Sequence, residues 1–200
     1  MIDRPTNAAE KRRAFRRLHE AGCFVIPNPW DVGGARFLQN LGFKALATTS
    51  SGHAWSQGCP DGAVPLAGVL MHLRQIVAAS DLLVNADFGN GFAPDAAGVG
   101  ANVGLAIETG VAAVVAAVAP KPVNLLVGSA SGLTMEEIAA LGVRRVSVGG
   151  ALARTAWGAF ANAARLMAEQ GRFDGFATAL PGQELDSFFR SDLSGREGKH

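Results

Sequence analysis

Two polar clusters carry the side chains that could do chemistry in this chain. The first is Thr48-Thr49-Ser50-Ser51-Gly52, followed by Gly58-Cys59-Pro60-Asp61-Gly62; the second is Asn85-Ala86-Asp87-Phe88-Gly89-Asn90-Gly91-Phe92. Each cluster follows a short apolar run, Phe43–Ala47 and Leu82–Val84. In a parallel α/β protein the C-terminal ends of all strands open on one face, and active sites are built there. That topology would bring the carboxylates Asp61 and Asp87 together with a turn rich in hydroxyls and glycine. Such a set suits a divalent cation, a hard ion that prefers oxygen ligands, together with a small anionic substrate.

Composition limits what else the chain could be. Two hundred residues suffice for one sizeable core, with 48% hydrophobic and 18% charged residues. That apolar balance fits strands buried on both faces. A net charge of +1 gives no reason to expect nucleic acid or anionic lipid as a partner. No uninterrupted run reaches the ~18–20 apolar residues of a membrane span. The richest window, Val111–Val118, is closed by Pro120 and Pro122. The stretch from Met1 to Arg17 is charged and lacks the apolar core of a secretory signal, so a cytoplasmic protein is expected. Cys23 and Cys59 have neither metal-ligand spacing nor the look of a disulfide framework.

The elements that must position these residues follow from periodicity and punctuation. An amphipathic helix is expected over Ala8–Ala21, ended by Gly22. A buried strand follows over Cys23–Ile26, then a helix from Val32 to Leu41 with Asp31 as its N-cap. Further strands are expected at Ala45–Thr49, Leu82–Asn85, Pro122–Val127 and Arg145–Val148. Between them lie helices at Leu66–Ala79, about Asp95–Thr109 and Thr134–Leu141, the last opened by a Thr134/Glu137 capping box. A long helix, Ala151–Gln170, and another over Leu180–Phe189 complete a single domain, 1–190, before a polar tail, 191–200. Repeated β-α units with short connections predict a parallel sheet or barrel. The count is five strands, whereas a closed (β/α)8 barrel needs eight and typically ~250 residues.

Several segments together resemble the isocitrate lyase/phosphoenolpyruvate mutase superfamily, in particular its carboxyphosphonoenolpyruvate phosphonomutase-like branch. They are Phe24-Val25-Ile26-Pro27-Asn28-Pro29-Trp30-Asp31, the Thr-Thr-Ser-Ser-Gly turn, Gly-Cys-Pro-Asp-Gly, and Val84–Phe88. Lys121–Val127 and Leu141–Gly149 continue the match, which in order and spacing covers Ala8 to about Phe189. The resemblance implies a TIM-barrel (β/α)8 fold whose C-terminal helices are often exchanged between subunits. It implies C–C or C–P bond chemistry next to a 2-oxo acid, with Mg2+ (or Mn2+) holding the enolate. It breaks after Gly110-Val111-Ala112: Ala113–Val118 resembles the helix that the family places before its seventh strand. About three central β-α units are therefore expected to be missing, with a glutamate of the metal shell and an arginine that binds substrate.

Carried onto this sequence, the resemblance makes Asp87 and Asn85 metal ligands, with Asp61 hydrogen-bonded to a metal-bound water. Many relatives have an acidic residue where Asn85 stands; an amide oxygen can ligate, but without charge. Asp87 could instead cap the Asn90-Gly91 turn, and Asp61 could be a plain Pro-Asp-Gly turn residue. Ser50, Ser51 and Gly52 would donate to the carboxylate and enolate oxygens of a pyruvyl group, with Ser50 and Asp61 as the catalytic pair. Trp30 could wall the pocket, while Asp31 reads better as a helix cap. Asn124 could reach the mouth from its strand or be a polar residue satisfied between strands. His53 reads as a solvated loop histidine. The Lys- and Cys-rich signature of isocitrate cleavage is absent, and Gly89-Asn90-Gly91 lacks the Lys-Ser/Thr of a phosphate loop.

Two functions remain open at this point. One is a Mg2+-dependent lyase or mutase acting on a 2-oxo acid or phosphonopyruvate-type substrate. The other is a catalytically inactive, shortened family member serving as an oligomeric structural or binding protein. In either case open strand edges would need covering, so a homo-oligomer, dimer or tetramer, is expected.

Overall fold

The computed structural model describes residues 7–114 and 124–197. These divide into two compact units, one up to Arg154 and one from Thr155. The first unit carries all six described strands: β1 (Phe24–Ile26), β2 (Ala45–Ala47), β3 (Leu83–Ala86), β4 (Ala113–Val114), β5 (Asn124–Leu126) and β6 (Arg145–Ser147). Its helices are α1 (Ala8–Arg17), α2 (Val32–Asn40), α3 (Ser50–Ser56), α4 (Leu66–Ala79), α5 (Ala96–Glu108) and α6 (Met135–Ala140). Helix α7 (Ala151–Gln170) begins in this unit. The second unit holds the rest of α7, a 3₁₀ turn (Asp174–Phe176) and α8 (Gly182–Glu197).

All strand pairs are parallel and form two three-stranded sheets, β2-β3-β4 and β1-β6-β5. The Ala47 amide donates to the Pro27 carbonyl at 3.0 Å, so β2 lies beside β1. The spatial order is therefore β4-β3-β2-β1-β6-β5. This is a barrel order, in which the last strand returns to the side of the first. Closure into eight strands is not seen among the described residues.

The structure corrects the reading of Ala113–Val118. Ala113 and Val114 form a strand rather than a helix, and they pair with Asn85 and Ala86 of β3. The Ala112 amide donates to the Val84 carbonyl at 2.7 Å. Apolar, β-branched sequence fits either element when short, and an available parallel edge decides for the strand. Among the described residues there are thus six strands, one more than the five expected. Residues 115–118, and the first two of the expected Pro122–Val127 strand, lie outside the described residues.

Burial follows the continuous apolar runs. On one face of β2 and β3, Leu46, Val84 and Ala86 pack with Leu73 and Ile76 of α4 and with Val111. On the other, Ala45, Ala47 and Leu83 meet Phe15 of α1 together with Ile26 and Ala112. A third cluster is smaller: Val146 packs with Ile138 and Val143, with Leu125 partly buried against them. Side chains alternate along a strand, so Asn85 shares the face of Leu83 and not that of Val84.

Helix ends follow their caps. Asp31 Oδ1 accepts from Gly34, and Asp95 Oδ1 accepts from Gly98 at 2.8 Å. Thr134 and Glu137 close the expected capping box. Two boundaries differ from expectation. Helix α1 stops at Arg17, short of Ala21. Helix α8 runs through residues 191–197, expected as part of a polar tail, where Arg196 holds Asp192 one turn back at 2.8 Å. No described helix is long and apolar enough to cross a membrane.

Candidate active site at the strand ends

Past the ends of β2 and β3 the two polar clusters lock together. The Ser50 amide donates to Asp87 Oδ2 at 2.9 Å, and the Asp87 amide donates to Thr48 Oγ1 at 2.8 Å. The Thr48 amide in turn donates to the Asn85 carbonyl at 2.9 Å. Thr48 and Thr49 are each 1% exposed, and the bonds to Asp87 are part-buried. The hydroxyl-rich turn is in fact the start of α3. Thr49 caps this helix by accepting from the Gly52 amide at 3.2 Å. The sequence signal was present, a threonine three residues before a glycine amide, but seven residues of helix are too few to show a period.

This arrangement separates the residues of the turn by role. Ser50 lines a cleft of about 530 Å³ together with Asp61, Leu66, Val69, Asn90 and Phe92. Ser51 faces elsewhere: its hydroxyl is 3.1 Å from Thr49 Oγ1 and would stand 2.8 Å from a Cβ at Gly150. Gly52 is wedged in, since a Cβ there would meet Thr49 Cγ2 at 2.7 Å, Trp30 Cβ at 3.0 Å and Ala153 Cβ at 3.2 Å. The amides of Ser50 and Gly52 are both engaged within the protein, which leaves the Ser50 hydroxyl as the donor facing the cleft. Trp30 supports α3 from one side through this contact. Asp31 serves as a helix cap.

Asp87 and Asn85 lie two residues apart on β3 and its extension, hence on one face. Asn85 is 4% exposed, and its Oδ1 is a buried acceptor with no hydrogen-bond partner. An unsatisfied buried oxygen costs free energy unless something ligates it. The loop beyond Asp87 is held in shape. The Gly89 amide donates to Asp87 Oδ1 at 3.3 Å, and Asn102 Nδ2 donates to the carbonyls of Gly91 and Phe92 at 2.9 and 3.2 Å. Phe92 adopts φ +58°, a left-handed conformation uncommon for a side chain of that size, and Asn102 fixes it there.

Two residues read from sequence are placed differently. Asn124 does not line the cleft: its Nδ2 donates to Ser147 Oγ at 3.0 Å and its Oδ1 accepts from Arg145 Nε at 2.8 Å. It opens β5 opposite Arg145, at the start of the strands, and its contacts are those of a polar residue satisfied between them. His53 is half-buried on α3 and stacks on His72 of α4, with ring centroids 3.8 Å apart. Burial, and then the neighbouring His53, push His72 down to about 3. Burial also lowers His53.

Asn28 was part of the recognised motif but had no role assigned to it. It is 5% exposed and makes three hydrogen bonds. A buried asparagine between Pro27 and Pro29 at a strand end is the signal that could have singled it out.

A sequence model of the family described as Phosphoenolpyruvate phosphomutase matches residues 15–115 and 111–168, and the chain belongs to this family. A candidate lyase/mutase from Burkholderia cenocepacia J2315 is 32% identical with a TM-score of 0.84, over 92% of this chain and 97% of that one. A phosphonopyruvate hydrolase, crystallised with oxalate and Mg2+, shares the fold at 16% identity and a TM-score of 0.69, over 94% and 97% of the two chains. Uncharacterised proteins of Mycobacterium tuberculosis are 38% identical over 86 residues, 42% of this chain. The match spans 33% of the length of those curated relatives.

Proposed function

We propose that this chain is a Mg2+-dependent lyase or mutase that acts on a small 2-oxo acid or phosphonopyruvate-type substrate through a pyruvate enolate. The observation that carries the reading is the buried, unpartnered Asn85 Oδ1 two residues before Asp87, whose carboxylate is held by the amide of the cleft residue Ser50. Among the described residues no group of three His, Cys, Asp or Glu side chains could hold a metal. Mg2+ does not need one: it keeps several waters and takes one or two carboxylates plus substrate oxygens. Asp87 and Asn85 would hold the ion, and Mg2+ would stabilise the charge that develops on the substrate oxygen.

The protein's own groups do the rest. The Ser50 amide and the Gly89 amide orient the Asp87 carboxylate. The Ser50 hydroxyl meets the substrate carboxylate, and Asp61, across the same cleft, binds a water of the metal. Leu66, Val69 and Phe92 provide the apolar wall that limits the site to a small molecule. Among the described residues no further strand joins β4 to β5, and in this reading central strands of the family barrel are missing there. The metal-shell glutamate and the substrate arginine of the family go with them, so turnover is slow. Calorimetric titration of Mg2+ with oxalate, followed by pyruvate release from phosphonopyruvate and oxaloacetate, tests the reading. Metal-dependent oxalate binding and slow, EDTA-sensitive pyruvate release are expected; absence of metal-dependent oxalate binding would sink it.

Association between copies is supported in either reading, active or inactive. Leu126 on β5 is 61% exposed, and among the described residues β4 and β5 each have one partner strand. The second unit also exposes Phe160 and Phe173, each at 64%. Contiguous apolar surface and open edges mark surfaces that associate. A homo-oligomer follows from both readings, and a monomer by light scattering would contradict it. An oligomer without Mg2+-dependent binding would favour the inactive protein.

A further inference from the structure

The two sheets of the first unit meet between β1 and β2, where no strand ladder is formed. Two hydrogen bonds tie that junction: Ala47 amide to Pro27 carbonyl at 3.0 Å, and Asn28 Nδ2 to the Thr48 carbonyl at 2.8 Å. The other end of the Asn28 side chain reaches across β1, where Oδ1 accepts from both the Val148 and Gly149 amides at 2.9 Å. One buried carboxamide therefore joins the ends of β1, β2 and β6. One of the segments it grips holds the Asp87 loop, and the other backs α3. Thr48 holds the Asp87 amide through its hydroxyl, and Gly149 leads into Gly150, against which Ser51 rests.

We infer that Asn28 is a positioning residue, which sets the spacing between the Asp87 side of the site and the Gly149-Gly150 side. In a closed barrel a full ring of ladders would share this task. Among the described residues no strand joins β4 to β5, and the junction at Asn28 carries the task. The two ends of the carboxamide are chemically distinct, because Thr48 presents an acceptor and Val148 and Gly149 present donors. Neutral at every pH, Asn offers a donor nitrogen and, on a separate atom, an oxygen that can accept twice. The consequence for binding rests on the Mg2+-dependent reading above.

The test uses Asn28→Ala and Asn28→Asp in the full chain, with Mg2+ and oxalate as the probe. Asn28→Ala is expected to bind Mg2+-oxalate at least tenfold more weakly at constant fold by circular dichroism. Asn28→Asp keeps the acceptor for Val148 and Gly149 but sets an ionised oxygen against the Thr48 carbonyl. Protonation turns that oxygen into a donor, so its affinity relative to wild type should recover between pH 8 and pH 5, whereas Asn28→Ala should not recover. Binding of Asn28→Ala within twofold of wild type, or parallel pH profiles for the two variants, would overturn the inference. If wild type itself binds no Mg2+-oxalate, the functional reading fails, and hydrogen exchange decides on Asn28 separately. Loss of the Asn28 carboxamide should then speed exchange at least tenfold at Val148, Gly149 and, through Thr48, Asp87. An unchanged Asp87 amide would show that Asn28 does not position the site.

Discussion

The sheet β2-β3-β4 and the sheet β1-β6-β5 are built from similarly short strands, two to four residues each, yet are packed very differently. Every residue of β2 and β3 is buried, between α2, α4 and α5 on one side and α1 on the other. In β5 no residue is fully buried, and β6 keeps only Val146 in a small cluster with α6. Asn85, Asp87 and Ser50 all come from the first half, while the second contributes the Gly149-Gly150 turn. The difference teaches where an open set of parallel β-α units can keep a site. Ligands must be held by strands whose neighbours leave no freedom to move, and only one half of this unit has such neighbours.

Acid should break the comparison most strongly, because the tight half contains the buried His72. Its unfolded form takes a proton near 6.5, whereas the folded form refuses it until about 3. Between these values the unfolded chain binds more protons, so stability falls as pH falls, at about 1.4 kcal/mol per unit and roughly 5 kcal/mol in all. Above about 6.5 the contribution is fully present. Denaturant titrations at pH 7, 5 and 4 should show this slope, and His72→Phe, which keeps a ring against His53, should flatten it.

Next in size is Asp87→Asn, which keeps an acceptor for the Ser50 amide but removes the charge. Oxalate binding in the presence of Mg2+ should weaken about a hundredfold, or about 2.7 kcal/mol, with little change in thermal midpoint. An unchanged affinity would move the metal away from β3.

Gly52→Ala tests whether α3 transmits between the halves, because its new Cβ would press on Thr49, Trp30 and Ala153. Overpacking of this kind costs about 1–3 kcal/mol. Thermal unfolding should show it, accompanied by weaker oxalate binding through displacement of Ser50. The smallest effect is expected in the loose half. Thr134→Ala removes the α6 capping box at about 1 kcal/mol, and oxalate affinity should stay unchanged. Equal losses of affinity from Gly52→Ala and Thr134→Ala would erase the distinction between the halves.

Much of this was legible in the chain before folding was considered. Asp31, Asp95 and Thr134 announce helix starts because a cap bonds within three residues. The runs at Phe43–Ala47 and Leu82–Val84 announce strands buried on both faces. What escaped was short or two-sided. The seven residues of α3 show no period, and Ala113-Val114 suits helix or strand until β3 offers an edge. The choice between the pocket mouth and a satisfied place between strands stayed open for Asn124 because its partners, Arg145 and Ser147, are about twenty residues away. His53 looked solvated because nothing nearby in sequence points to the ring of His72.

The sequence by itself determined the family, the order of β-α units and the residue types available for ligation, since periodicity, caps and motif spacing are properties of neighbours along the chain. Only the tertiary structure decided that Ser50 faces the cleft while Ser51 rests against Gly150. It alone decided that Asn85 keeps an unpaired oxygen and that Asn28 joins three strand ends. Those outcomes depend on which backbone donors and acceptors from distant segments reach each side chain first, and a hydrogen bond is satisfied by proximity in space, whatever the separation in sequence.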